Sequence, residues 1–336
     1  MPITERPSDD FIALLRKSGD ADINVAMAAQ REFAKALELP LRKGVLVGNV
    51  LGNIFETINV EAGSTTEFPL DLISPGLEGE HVAYTNPGHG RIPERSVEGD
   101  YVMIPTYTIA SSVDYLLRFA REARWDIVGR AMQVMEAGFT KKMNDDGWHT
   151  LLAAGVDRNI LVYDADATAG LFSKRLVSLM QTVMRRNSGG NSASVGRGRL
   201  TDIYLSPEAL EDIRNWGLDQ VDDVTRREIY NADPASVVVT RIFGVNLHDL
   251  DELGEGQQYQ NFFTSDLGGA LASGGDVELV VGLDQSMNDS FVMPVKQQLQ
   301  VFEDPALHRQ QRAGYYGWAE LGFGVLDNRR VILGSF

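Results

Sequence analysis

The side chains that most often do chemistry are few and scattered in this chain. Its five histidines, His81, His89, His149, His248 and His308, form no cluster in the sequence. One trio has the spacing of a metal site. Asp145, Asp146 and His149 would share one face of a helix, as a divalent cation requires of its ligands. A solvated helix end carrying Lys141, Lys142 and Asp145 gives the same pattern, so the trio assigns no metal. Asp249, Asp251, Glu252 and Glu255 look like part of a calcium loop. The fifth position of that pattern is Leu253 and the twelfth is Gln260, so the required oxygen ligands are missing and the stretch reads as a solvated acidic loop. There is no cysteine, which excludes thiol catalysis, disulfides and cysteine-ligated zinc. No Gly-x-Ser-x-Gly elbow, Walker-type phosphate loop or dinucleotide fingerprint occurs. Gly196-Arg197-Gly198-Arg199 is a small basic loop, read as a solvated turn able to touch a phosphate or a neighbouring subunit. Carboxylates are plentiful, but nothing selects a pair for glycoside hydrolysis. No catalytic, cofactor-binding or metal-binding residue is assigned, and the chain reads as no enzyme.

What surrounds these residues is an ordinary globular composition. In 336 residues, 43% are hydrophobic and 23% charged, enough for a sizeable core in one elaborated domain or two ordinary ones. The formal net charge is −16, from 47 acidic and 31 basic side chains. That argues against a dedicated nucleic-acid binder, whose footprint is a basic patch. It suits a soluble protein that does not adhere to polyanions. Met1 to Asp10 lacks the basic and apolar regions of a signal peptide. No apolar stretch approaches the ~20 residues of a membrane span.

The elements that must position any site follow from periodicity and punctuation. Two short helices are expected in the first forty residues. Ser8 caps Phe11 to Leu15; Asp22 caps a run with Val25, Ala29, Phe33 and Leu37 on one face, ended by Pro40. Val45 to Val60, with Gly48, Asn49, Gly52 and Asn53, reads as strand and turn. Residues 61–104 hold ten glycines and prolines, flanked by extended segments at Thr65 to Ile73 and Tyr101 to Ile109. A structureless loop of this length is unusual in a compact domain, so a projecting two-stranded arm is expected. An isolated hairpin is marginal in water, so the arm needs a neighbour. Ser111 to Asp114 resembles a helix start with Asp114 at the positive end of the dipole. A long helix follows, with Ile127, Val128, Ala131, Met135 and Phe139 at helical spacing. Gly129, Gly138 and Gly147 are candidate break points within it.

Beyond Gly155 the pattern is mixed. Leu171 to Arg186 is an amphipathic helix, and Asn187 to Gly198 a glycine- and serine-rich loop. Ile203 to Leu205 is a strand. Ser206-Pro207-Glu208-Ala209 supplies the N-cap, first-turn proline and acidic first turn of a helix to about Trp216. Val237 to Val239, Val245 to Leu247, Leu279 to Leu283 and Phe291 to Val295 read as strands. Gly254 to Gly275 reads as a flexible acidic loop, and Gly314 to Phe336 as a hairpin turning near Asp327-Asn328.

The order of these elements resembles that of tailed-phage major capsid proteins. Tyr101 through Thr108-Ile109-Ala110-Ser111-Ser112-Val113-Asp114-Tyr115-Leu116-Leu117 to Leu151-Leu152-Ala153-Ala154-Gly155 looks like the family's passage from extended loop into spine helix. Ile203-Tyr204-Leu205-Ser206-Pro207-Glu208-Ala209-Leu210 resembles the strand, proline and helix of its axial domain. Phe243-Gly244-Val245-Asn246-Leu247 looks like the strand after a glycine turn, and Gly322 to Phe336 like the final strands. The likeness covers about residues 45–336.

The resemblance implies an α+β subunit: N-terminal arm 1–52, extended loop 53–109, spine helix of a peripheral domain 110–160, axial domain 161–298 and peripheral closing strands 299–336. It implies self-assembly into hexamers and pentamers of an icosahedral shell, located in the virion capsid and assembled in the host cytoplasm. Subunit contacts are expected from Phe68, Leu70, Leu72, Ile73 and Val82 of the extended loop, and an axial loop from Gly268, Gly269, Gly274 and Gly275. About 44 residues precede the body, which implies a separate scaffolding protein. A portal protein, decoration proteins and packaged double-stranded DNA, contacted non-specifically, are the other expected partners; no cofactor or membrane is. No lysine lies between Lys43 and Lys141, so the loop lacks the amine with which some relatives crosslink. An encapsulin-like compartment is the alternative from the same fold, and a soluble carbohydrate-acting enzyme the alternative from another class.

Overall fold

The computed structural model describes residues 9–48, 50–61, 63–69, 101–168, 170–187, 198–216, 241–272, 277–286 and 290–336. Its helices are α1 (Asp9–Ser18), α2 (Ile23–Gly48), α3 (Leu117–Arg121), α4 (Trp125–Asp157), α5 (Lys174–Arg186), α6 (Pro207–Asn215) and α7 (Gln258–Asn261). Its strands are β1 (Glu56–Asn59), β2 (Glu67–Pro69), β3 (Tyr101–Met103), β4 (Tyr107–Leu116), β5 (Leu161–Tyr163), β6 (Asp202–Leu205), β7 (Arg241–Ile242), β8 (Val245–Asp249), β9 (Leu279–Leu283), β10 (Phe291–Glu303), β11 (Arg312–Leu321), β12 (Gly324–Val325) and β13 (Val331–Ser335). Two compact units result. The first takes the chain up to Glu67, Met103–Gly147 and Val292–Gly324; the second takes Trp148–Phe291 and Val325–Phe336, with the strand residues next to 70–100. Of the segment 299–336, expected to close one domain, the last twelve residues thus belong to the second unit.

The first unit is built on the sheet order β1-β10-β11-β4. Helices cover one face. Phe33 of α2 lies 5.5 Å from the Tyr315 ring, and Gly317 is packed against Met135 of α4. Val128, Met132, Met135, Phe139 and Met143 form the buried stripe of α4, at the three- and four-residue steps of a helix. The helix runs 33 residues without a break, about 50 Å. Its glycines do not break it; at Gly147 a Cβ would overlap the Leu51 side chain, so the small residue admits a close neighbour.

Three expectations fail in this unit. The helix start at Ser111–Asp114 is strand β4, paired with β11 from Arg312↔Leu116 to Leu321↔Tyr107. Its residues alternate, with Ile109 and Tyr115 buried and Thr108, Ala110, Ser112 and Asp114 exposed, and Asp114 pairs with Arg312 instead of capping a helix. Helix α2 does not stop at Pro40 but continues to Gly48. The proline costs about 3 kcal/mol in a helix interior, which the burial of Phe33, Leu37, Leu41 and Val45 along one stripe offsets. The expected closing hairpin is absent, because β11 joins this sheet and β13 joins the other. Asp22 does cap, accepting the Asn24 N–H at 2.9 Å; Ser8 lies outside the described residues.

The second unit is a six-stranded mixed sheet ordered β5-β13-β9-β6-β8-β7. β6, β9 and β13 are buried along their whole length, which explains the apolar runs Leu279–Leu283 and Val331–Leu333. On one face α5 and α6 bury Leu176, Met180, Leu210 and Ile213 against Ile203, Val280 and Ile332. A Cβ on Gly282 would meet Met180, Leu200 and Ile332 at 2.8–2.9 Å, so the glycine lets α5 approach the sheet. Beside the sheet, the Trp148 ring meets Tyr204 edge-on at 4.7 Å and lies 6.0 Å from Tyr259. Ser173 and Ser206 cap α5 and α6, accepting the N–H groups of Leu176 and Ala209 at 3.1 Å each. Leu171 precedes α5 and is exposed, outside the apolar stripe expected of it. The strand expected at 237–239 and most of the loop 187–198 lie outside the described residues.

Candidate functional site

With no catalytic constellation among the described residues, the candidate site is the set of surfaces through which copies could associate. The arm leaves the first unit after a turn at Glu61–Ser64, where Gly63 has φ +95° and the Ser64 hydroxyl donates to the Glu61 carbonyl at 2.7 Å. Its base is clamped. Thr66 donates its hydroxyl to the Ile104 carbonyl and accepts the Ile104 N–H on its own carbonyl at 3.0 Å. Ile104 is buried against Gly324, where any side chain would collide with it. Beyond this clamp β2 and β3 form a two-stranded ribbon. Phe68 is half-buried in β2, whereas Tyr101 and Met103 of β3 are 64% and 65% exposed. These two apolar side chains are not among the expected contact residues, although the alternation Tyr101-Val102-Met103-Ile104 places them on one ribbon face. Leu70, Leu72, Ile73 and Val82 lie outside the described residues.

The expected flexible acidic loop is largely ordered structure. Leu253, Tyr259 and Phe263 are buried, and Gln260 bridges the start of β9 by donating to the Val277 carbonyl at 2.9 Å and accepting the Leu279 N–H at 3.1 Å. Hydrophobic anchors recurring between polar residues make the segment fold back onto the unit, which composition alone does not reveal. Gly268 has φ +66°, and Gly269 donates to the Phe263 carbonyl at 2.9 Å, where an added Cβ would overlap the Phe263 ring. Gly274 and Gly275 lie outside the described residues.

The chemistry-bearing residues are engaged in packing. Asp146 accepts from Lys142 Nζ at 2.7 Å and from the Tyr107 hydroxyl at 2.8 Å; burial and that carboxylate push the Tyr107 phenol well up. The His149 ring stacks on Phe262 at 3.8 Å. No group of three potential metal-ligating side chains forms among the described residues. Asp249, Asp251, Glu252 and Glu255 are exposed around the buried Leu250 and Leu253. At the end of the basic loop, the buried Asp284 accepts the N–H groups of Gly198 at 2.8 Å, Arg199 at 3.2 Å and Ser286 at 3.0 Å.

Two carboxyls of the second unit have displaced pKa values. Burial alone would raise Asp202, but hydrogen bonds from His248 (2.8 Å), Thr201 and Asn246 (3.1 Å) outweigh it and hold the carboxyl below its ordinary value. Glu278 moves the other way. Burial raises it, the Ser206 hydroxyl partly offsets this, and the nearby Glu208, Asp212 and Glu255 carboxylates raise it further. Among the described residues no helix is long and apolar enough to cross a membrane.

No family model and no curated protein sequence matches the chain. Solved structures do. The capsid asymmetric unit of cyanophage Pam1 matches with a TM-score of 0.54 and 14% identity, over 84% of this chain and 88% of that one. A structure from Microbacterium phage Oxtober96 matches with a TM-score of 0.55 and 11% identity, over 86% and 90%. The capsid of Myoviridae phage XM1 matches with a TM-score of 0.52 and 13% identity, over 85% and 90%. The chain has the α+β fold of the Pam1 and XM1 capsid structures.

Proposed function

We propose that this chain is a major capsid protein, a shell subunit that works by assembling and not by catalysis. Copies associate as hexamers and pentamers into a closed icosahedral shell around double-stranded DNA, which the acidic wall contacts without sequence preference. The observation that supports this best is the match of fold to phage capsid structures over 84–85% of the chain. The arm adds a physical reason. Its ribbon exposes Tyr101 and Met103 beyond a rigid base, and a two-stranded ribbon of this kind is stabilised by a neighbour. In this reading residues 53–109, including Phe68, Leu70, Leu72, Ile73 and Val82, lie along an adjacent subunit. The first unit takes the peripheral position, and the second unit, with the Gly268–Gly275 turn, faces the capsomer axis. A separate scaffolding protein directs assembly in the host cytoplasm, a portal protein occupies one vertex, and decoration proteins reinforce the mature virion capsid. Light scattering and electron microscopy of the purified protein, across concentration and salt and with scaffolding protein added, test the proposal. Hexamers, pentamers or closed shells are expected; a compact monomer under every condition refutes it.

A further inference from the structure

The six-stranded sheet of the second unit is electrically polar along its strands. β6 and β8 run parallel, and β9 runs against β6. One end of the sheet therefore holds the starts of β6 and β8, the β7–β8 turn and the exit of β9. α5 points its C-terminal half to this end, since Gln181 donates to the Phe243 carbonyl in the turn at 3.2 Å. Arg185, Arg186, Arg199 and Arg241 are all exposed here. Among the described residues the acids of this end are engaged within the unit, except that Asp157 is exposed and accepts from the Asn328 amide at 3.1 Å. Asp284 is buried under three backbone N–H groups, and Asp327 pairs with Arg329 at 2.7 Å.

The opposite end has the reverse charge. There β6 and β8 finish, β9 begins and α6 starts. Glu208, Glu211, Asp249, Asp251, Glu252 and Glu255 are exposed, with Glu278 buried among them. The cations of this end among the described residues are Lys174, Arg175 and Arg214, and Arg175 is engaged by Asp164 and Asp166. Helix dipoles account for part of the pattern, because Arg185 and Arg186 close α5 and Glu208 opens α6. They do not account for Arg199, Arg241, Glu252 or Glu255, which lie on no helix. Like charges gathered at one end repel: burial is the main reason the Glu278 carboxyl is raised, and the Glu208, Asp212 and Glu255 carboxylates add to it. Beyond the charges that complement the helix dipoles, the arrangement does not stabilise an isolated subunit; it is complementary to a second copy of itself.

We infer that the basic end of this unit in one copy mates with the acidic end in the next, a head-to-tail contact. Such heterologous contacts close into rings when the rotation between copies permits. Opposed charges of this kind steer encounter and fix register. The inference rests on the shell reading and names the surfaces through which its rings close.

Charge exchange tests it. Arg185→Glu with Arg186→Glu and Arg199→Glu makes both ends acidic; Glu208→Lys, Glu211→Lys, Asp249→Lys, Glu252→Lys and Glu255→Lys together make both ends basic, because Asp251 is then the one exposed acid left of the six. Each variant alone should need roughly tenfold more protein, or greater, to assemble than the unaltered chain, while the monomer still unfolds cooperatively at a melting temperature lowered only by the reversed helix-end charges. Mixed in equal amounts, the two should recover hexamers but not pentamers, because alternating partners close only even-membered rings. A single chain carrying both exchanges should recover both. Where reversal unfolds the chain, Arg185→Gln with Arg186→Gln and Arg199→Gln replaces it, and its weakened assembly should lose salt dependence. Wild-type assembly levels in either single-end variant, or failure of the doubly exchanged chain to recover despite folding, overturns the inference while leaving the shell reading intact. Failure of the unaltered chain to assemble at all removes both.

Discussion

Replacing Ser206 by alanine should cost the second unit far more than the loss of one surface hydroxyl. The Ser206 side chain accepts the Ala209 N–H at 3.1 Å, capping α6, and donates to the buried carboxylate of Glu278. Loss of the cap costs about 1 kcal/mol. Leaving the buried Glu278 oxygen without its donor costs about 1–3 kcal/mol more. Ser206→Ala should therefore destabilise by about 2–4 kcal/mol, read by chemical denaturation at concentrations where the subunit is monomeric. The shared hydrogen bond predicts non-additivity. In a Glu278→Leu background only the cap remains to be lost, so the same substitution should cost about 1 kcal/mol. An equal cost in both backgrounds would refute the assignment of two roles to one hydroxyl.

The two displaced carboxyls should give pH dependences of opposite sign. Glu278 has a raised folded-state pKa, so its stability contribution is full below the unfolded value of about 4.3 and is lost as pH rises through the folded value. Glu278→Gln should then raise the melting temperature at pH 7 and flatten that dependence; no change at pH 7 contradicts it. Asp202 has a lowered pKa, so its contribution is present above the unfolded value of about 3.9 and is lost as pH falls through the folded value. Asp202→Asn should remove stability at neutral pH and flatten the acid limb of the thermal-unfolding profile. On the arm, Tyr101→Ser with Met103→Ser should leave the monomer's melting temperature unchanged, because both side chains are exposed, while reducing assembly yield in light scattering. Denatured mature particles should run as a single band near 37.0 kDa, since the chain has no cysteine and the segment between Lys43 and Lys141 has no amine nucleophile. A ladder of covalent multimers would overturn that expectation.

Elements whose signals are local are legible in the sequence. Ser206 and Pro207 announce α6, and the apolar spacing of Leu176, Leu179, Met180 and Val183 announces α5, because capping and helical periodicity act within a few residues. The long helix α4 and the buried strands β6 and β9 are legible for the same reason. The misreadings lie where a distant partner overrules a local signal. Ser111 to Asp114 carries the residues of a helix start, yet it extends along β11, some two hundred residues later in the chain. Pro40 is a local stop signal overridden by the apolar stripe on both sides of it. The turn near Asp327 is legible, and Asp327 accepts the Arg329 N–H there, but the strands on its two sides join different sheets. Glycines and acids between Gly254 and Gly275 suggest a loop, while Tyr259 and Phe263 fold its described part back onto the unit.

The sequence by itself determined the architecture class, the lack of thiol chemistry and the acidic balance. Its counts of arginine and glutamate carried no information about placement. Arg185, Arg199 and Arg241 are far apart along the chain, as are Glu208, Glu252 and Glu278. Each set comes to one end of a sheet only because β6 and β8 run one way, β9 the other, and α5 spans the unit between the two ends. Strand direction is fixed by long-range pairing, so the charge polarity of the second unit belongs to the tertiary structure alone.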